Sequence, residues 1–139
     1  MKYNIGIIGN GFVGSSVAFG FSPQTGCDAE VKIYDKDETK STHTLSDVVN
    51  DSDFIFLSVP TPSNSDGSIS LDILFDVFKE IDEVIDYEAD RQPVIMIRST
   101  VTPGTTTKIQ IEYPKMNIVF NPEFLTERSA KFDFINQSR

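Results

Sequence analysis

The run Gly9-Asn10-Gly11-Phe12-Val13-Gly14 directly follows Ile5-Gly6-Ile7-Ile8, and that order leaves the chain few ways to fold. The apolar run reads as a buried strand, and G-x-G-x-x-G reads as a tight turn opening into a helix. Gly9 suits such a turn because it has no Cβ. Gly11 lets the backbone approach a pyrophosphate, whose charge is stabilised by the N-terminus of a helix starting near Phe12. Gly14 lets that helix pack close to the sheet. A second apolar run, Val31-Lys32-Ile33-Tyr34, ends at Asp35. A carboxylate about 20 residues beyond the loop can accept the ribose hydroxyls of NAD and repel the 2′-phosphate of NADP. A bare glycine motif says little; placed between strand and helix with this acid behind it, it points to NAD.

The 139 residues are enough for one domain with a real core, and 39% hydrophobic content with eleven Phe argues for a globular chain. A net charge of −9 disfavours nonspecific binding to nucleic acid or anionic membranes, so neither is expected as a partner. No apolar run approaches the roughly 18 residues of a membrane span, and Met1-Lys2-Tyr3-Asn4 lacks signal-peptide shape. A single cysteine permits no internal disulfide, which suits the cytoplasm.

Strands and helices alternate, which predicts an α/β fold of Rossmann type. Its doubly wound, mainly parallel sheet would be flanked by helices, with residues 1–139 as one domain. The expected strands are Tyr3–Ile8, Val31–Tyr34, Phe54–Val59, Val94–Ile97 and Asn117–Phe120. Helices are expected over Gly11–Phe21, with Val13, Val17 and Phe21 on one face, and over Leu45–Asn50 behind a Thr44 cap. The longest should run from Leu71 to Asp86, with Leu71, Leu74, Phe75, Phe78, Ile81 and Ile85 recurring at helical spacing and acids on the opposite face. Thr102-Pro103 should open another, and a last helical stretch should carry Leu125 to Phe134.

In such a sheet, ligands bind outside the carboxyl ends of the strands. Three unusual segments lie there: Val59-Pro60-Thr61-Pro62, Ser99 to Thr106, and Asn121-Pro122-Glu123-Phe124-Leu125-Thr126-Glu127. Turn chemistry alone would explain any one of them. Their shared rim is the informative feature.

With the glycine loop, Asp66-Gly67-Ser68 and the trailing Ala130, Asp133, Ser138 and Arg139, these segments make the chain resemble the NAD-binding domain of the UDP-glucose/GDP-mannose dehydrogenases. Asn121–Glu127 is the most specific part of that likeness. The resemblance implies double oxidation of a sugar C6 alcohol to a carboxylate with two NAD, through an aldehyde trapped by a cysteine thiolate. It implies catalytic roles for Thr100, which positions a water or the substrate hydroxyl, for Glu123, the base activating water against the thioester, and for Glu127, beside nicotinamide and substrate. A raised pKa would suit Glu123. Cofactor contacts are implied for Gly9, Asn10, Gly11, Phe12, Val13, Gly14, Asp35, Lys40, Val59, Pro60, Thr61, Ser99, Thr100 and Glu127. Glu123, Phe124, Leu125, Thr126 and Glu127 would meet the nucleotide sugar, of the UDP-glucose or GDP-mannose class.

The chain departs from the family in three places. Arg128 stands where the family usually has glycine, the Lys36–Asp53 connection is short enough to omit a helix and strand pairing, and Arg139 precedes the family's last strand and sugar-nucleotide domain. The isolated chain is therefore expected to bind NAD without turnover. It would associate with a second copy or with a C-terminal region. Cys27 lies between the first helix and second strand, away from the rim, and reads as a plain thiol. His43 reads as solvated, and the acids Asp82, Glu83, Asp86, Glu88 and Asp90 as a solvated face, so no metal is expected. A hydroxyacid dehydrogenase domain of the 6-phosphogluconate type and a non-enzymatic NAD-binding module remain open alternatives.

Overall fold

The computed structural model describes residues 2–137, so Ser138 and Arg139 lie outside the described residues. Its five strands are β1 (Asn4–Ile8), β2 (Glu30–Tyr34), β3 (Phe54–Leu57), β4 (Val94–Ile97) and β5 (Asn117–Phe120). They form one parallel sheet in the order β2-β1-β3-β4-β5. The helices are α1 (Phe12–Gly20), α2 (Leu45–Asp51), α3 (Asp72–Val84), α4 (Thr105–Glu112) and α5 (Ala130–Ile135). The Rossmann-type α/β reading therefore holds.

Alternation along the strands fills two apolar layers. Ile8, Ile55, Leu57, Ile95 and Ile97 meet Val48 and Val49 of α2, Leu74, Phe78 and Ile81 of α3, and Ile109 of α4. On the other face Ile5, Ile7 and Phe56 meet Val17 and Phe21, with Phe134 of α5 against Phe21. Val13, expected on the same face as Val17, is instead half-exposed.

A dinucleotide fold of the usual strand order 3-2-1-4-5-6 carries one more strand beyond β2. Here the chain passes from β2 through a short turn and α2 straight into β3. The edge of β2 is closed by side chains. Thr42 Oγ1 accepts the Ile33 N–H, the Thr42 and His43 N–H groups donate to the Ile33 carbonyl, and Ser41 Oγ accepts the Asp35 N–H. Thr44 caps α2 as expected, in a capping box with Asp47.

Of the boundaries that depart from the sequence reading, three have a visible cause. β3 stops at Leu57 rather than Val59, because the Val59 N–H bonds to the Ser99 hydroxyl instead of a strand carbonyl. Thr102-Pro103 does not begin α4: Thr105 donates back to the Thr102 carbonyl, Gly104 takes a left-handed φ of 87°, and the helix starts at Thr105. The last helix starts at Ala130, after a 3-10 turn over Glu127–Ser129, rather than at Leu125. The Leu125 N–H is taken by Glu123 and the Thr126 N–H by Asp133, bonds that compete with helix formation.

Two glycines of the loop are structural. A Cβ on Gly9, whose φ is +90°, would lie 2.2 Å from the Ser58 carbonyl oxygen, and one on Gly14 would lie 1.9 Å from that of Gly9. Gly14→Ala should therefore cost about 3 kcal/mol of stability, the range of a severe backbone clash. Urea denaturation measures it, and an unchanged midpoint would contradict the packing.

Candidate cofactor and active site

Each strand end hands the ladder to one further residue. The Gly9 N–H donates to Tyr34, Ser58 to Ile8, Arg98 to Leu57 and Asn121 to Ile97, at 2.8–3.0 Å. Gly9, Ser58, Arg98 and Asn121 thus form a row across the carboxyl rim. One residue further on, the Ser99 hydroxyl donates to the Val59 carbonyl at 2.7 Å and accepts the Val59 N–H at 3.0 Å, clipping two of the predicted segments together.

A cleft of about 440 Å³ opens above this row where the strand order reverses, between β1 and β3. It is lined by Gly9, Gly11, Phe12, Val13, Asp35, Lys40, Val59, Pro60, Thr61, Ser99, Thr100 and Glu123, all singled out from sequence, and by Ser58 and Arg98, which were not. Asn10 and Gly14 support the cleft without lining it. The Asn10 N–H donates to Asp35 Oδ2 at 2.7 Å, and its side-chain amide donates to the Lys40 carbonyl.

The groups suit a dinucleotide. A Cβ on Gly11 would meet nothing within 4 Å, so the space beside it serves no packing purpose of the protein. Gly11 caps α1 without a side-chain bond and no acid occupies the first turn, leaving its amides for an anion. Asp35 uses one lone pair of each oxygen, for the Asn10 and Asp37 amides, which leaves acceptor capacity for a ribose diol. Asn10 Oδ1, Ser58 Oγ and Arg98 Nε are buried without a partner, and all three belong to residues at or beside this cleft.

Not every expected site residue gathers here. Glu127 lines a separate hollow of about 410 Å³ with Phe12, Ser15, Ser16 and Arg128. Phe124, 92% exposed, with Leu125 and Thr126, borders a third of about 520 Å³, which Glu123 shares. Glu123 is half-buried, and its Oε2 accepts the Leu125 N–H at 2.6 Å. Arg128 sits in the 3-10 turn, and no non-glycine residue among those described has a positive φ, so the missing glycine brings no backbone strain. Cys27 faces a hollow of about 660 Å³ at the opposite end of the strands, beside Tyr3, Phe54 and Met96. His43 joins no cluster; its Nδ1 meets the Thr42 hydroxyl. Arg98 was legible only as a cation closing the apolar run Val94–Ile97.

The family model described as UDP-glucose/GDP-mannose dehydrogenase family, NAD binding domain, matches residues 32–139. The chain belongs to this family. NAD is the cofactor of the matched domain. The UDP-glucose 6-dehydrogenase of Rickettsia conorii is 34% identical over 110 residues, covering 76% of this chain and 24% of the relative. UDP-glucose 6-dehydrogenase AglM of Haloferax volcanii is 28% identical, covering 97% of this chain and 39% of the relative. The chain thus spans between a quarter and two fifths of these dehydrogenases. The AglM alignment runs over 171 positions, more than the 139 residues here, so that relative carries insertions this chain lacks. Among solved structures, a GDP-mannose dehydrogenase ternary complex from Pseudomonas aeruginosa superposes with TM-score 0.73 at 28% identity, over 94% of this chain and 38% of the other. No helix among the described residues is long and apolar enough to cross a membrane.

Two outcomes test the site. Gly11→Val should weaken NAD binding at least a hundredfold in calorimetric titration while leaving the urea midpoint unchanged, since its side chain enters ligand space rather than protein. The 126–129 turn should loosen in acid. The Thr126 amide and the Ser129 hydroxyl hold the Asp133 carboxyl below its ordinary value of 3.8, so its contribution stands above that pH and is lost as pH falls through the lowered value. The protection factor of the Thr126 amide against pH reads it, and protection that does not fall at all on acidification below 3.8 would contradict the assignment.

Proposed function

We propose that this chain is the cofactor-binding part of a nucleotide-sugar 6-dehydrogenase, taking a UDP-glucose or GDP-mannose type substrate from C6 alcohol to carboxylate. The observation that carries the reading is the single cleft that gathers the glycine loop, Asp35, Val59–Thr61, Ser99–Thr100 and Glu123 from five different strand ends.

When bound, NAD supplies the hydride acceptor for each oxidation. Asp35 holds the adenosine ribose and excludes a 2′-phosphate, and the free amides of α1 take the pyrophosphate. Ser99 fixes Val59 at the floor of the cleft, and Thr100, exposed beside it, positions the substrate hydroxyl or a water. Glu123 reaches the same cleft and accepts the proton of the attacking water, its Oε2 steadied by the Leu125 amide. Glu127, in the neighbouring hollow that shares Phe12 with the cleft, would help to hold cofactor and substrate. Phe124–Thr126 take the nucleotide sugar. The thiolate that holds the aldehyde is not Cys27, which faces the opposite end of the strands. It comes from a further region, supplied in cis or by a second chain.

Titration with both cofactors tests the reading. The chain should prefer NAD over NADP by about tenfold or more, as expected for one charge repulsion of about 1.4 kcal/mol, and Asp35→Ala should narrow the gap. Equal affinities would remove Asp35 from the site. With UDP-glucose or GDP-mannose, the 139-residue protein should produce no NADH until the missing region is added. A steady rise in absorbance without it would demand another nucleophile.

A further inference from the structure

Arg98 is a charged residue with 5% exposure, in a place where an apolar residue would pack more cheaply. Its guanidinium lies between two rings, 5.9 Å from the centroid of Phe56 on β3 and 5.8 Å from that of Phe134 on α5. Nη1 donates to Asn121 Oδ1, the residue that takes the ladder one step past β5. Among the described residues no carboxylate lies within ion-pair distance of it. Burial pushes the guanidinium down from its usual range, and the negative charge of nearby Glu123 pulls it back up.

A buried cation without an ion-pair partner is costly unless its donors hold something. What this one holds is the root of the segment that delivers Glu123. Only Pro122 separates Asn121 from Glu123, and the far end of the segment is pinned by Asp133, which accepts the Thr126 N–H at 2.9 Å. Between those pins, Glu123 is fixed only by its own bond to the Leu125 amide. The ladder bond from the Asn121 N–H to the Ile97 carbonyl holds the backbone of the near pin, the Arg98 contact holds its side chain, and the planar guanidinium is aligned for it by the two aromatic faces.

We propose that Arg98 is a positioning residue for the Asn121–Glu127 segment, fixing Asn121 and through it the direction in which Glu123 enters the cleft. The assignment rests on the reading of Glu123 as the base, but its test does not depend on turnover.

The experiment is amide hydrogen exchange on the 139-residue chain, with NAD titration as a second readout. Arg98→Met keeps the stem between the rings and removes the donor. Exchange at Leu125 should accelerate roughly tenfold, the loss expected for a charge-assisted hydrogen bond, while Ile97 on β4 stays within about twofold of wild type. Arg98→Lys retains a donor and a charge and should restore part of the protection. Asn121→Ala, which leaves the buried cation in place, should reproduce the Arg98→Met effect. The double variant should be no worse than either single one.

NAD affinity in Asn121→Ala, which leaves every residue lining the cleft in place, should stay within about threefold. Unchanged exchange at Leu125 in Asn121→Ala or Arg98→Met would overturn the proposal. So would additive effects in the double variant, or acceleration spread equally over β4, which would make Arg98 a core residue only. If the dehydrogenase reading failed, NADH production would be absent in the completed protein while the Leu125 result stood. The two failures are therefore distinguishable.

Discussion

Ile8 pairs with Tyr34 on one side and Leu57 on the other, Leu57 pairs with Ile97, and Ile97 with Phe120, so all five strands run out at one level. A parallel ladder in such register turns sequence position into spatial position. The first residue after each of β1, β3, β4 and β5 spends its N–H on the neighbouring strand, and the side chains that follow rise together above the rim. Groups more than a hundred residues apart, Gly9 and Glu123, therefore line one cleft without any loop having to reach across the molecule.

The ladder fixes height and leaves direction to local contacts. Gly9 and Gly14 approach the Ser58 carbonyl and each other closely enough to lock the turn. The reciprocal Ser99–Val59 bonds lock the middle of the rim, and the Asn121 and Asp133 contacts lock the last segment at both ends. Against this, Gly11 faces open space and three polar atoms around the cleft lack partners. Natural interiors rarely leave buried polar atoms unpaired. Three of the five such side-chain atoms among the described residues lie at this rim, where a bound dinucleotide would supply partners.

Much of this was legible in the sequence because it depends on short-range pattern. The apolar runs gave the strands, the 3.6-residue recurrence of Leu74, Phe78 and Ile81 gave α3, and Thr44 gave the cap of α2. Errors fell where side chains at a distance in sequence decide the backbone. Val59 leaves β3 because of Ser99, and Leu125–Thr126 stay extended because Glu123 and Asp133 take their amides. Arg98 escaped notice for the same reason. Periodicity treats it as the end of a strand, and only the meeting of Phe56, Phe134 and Asn121 gives it a task. The separation of Glu127 from Glu123 was equally invisible, since a 3-10 turn instead of a continuous helix sends the two acids into different hollows.

The absent strand beyond β2 changes how the adenosine end is built. In a longer version of the fold, β2 is an interior strand and its last residue is held from both sides by backbone. Here β2 is an edge, and an unprotected edge invites pairing with another chain. Ser41 and Thr42 cover it with hydroxyls, and Ser41 both accepts the Asp35 N–H and donates to its carbonyl. Asp35 is thus held by a turn folded back on its own strand. Asn10 closes the arrangement by giving its backbone N–H to the Asp35 carboxylate and its side-chain amide to Lys40. The glycine loop and Asp35 are therefore coupled directly, through contacts that need no strand beyond β2.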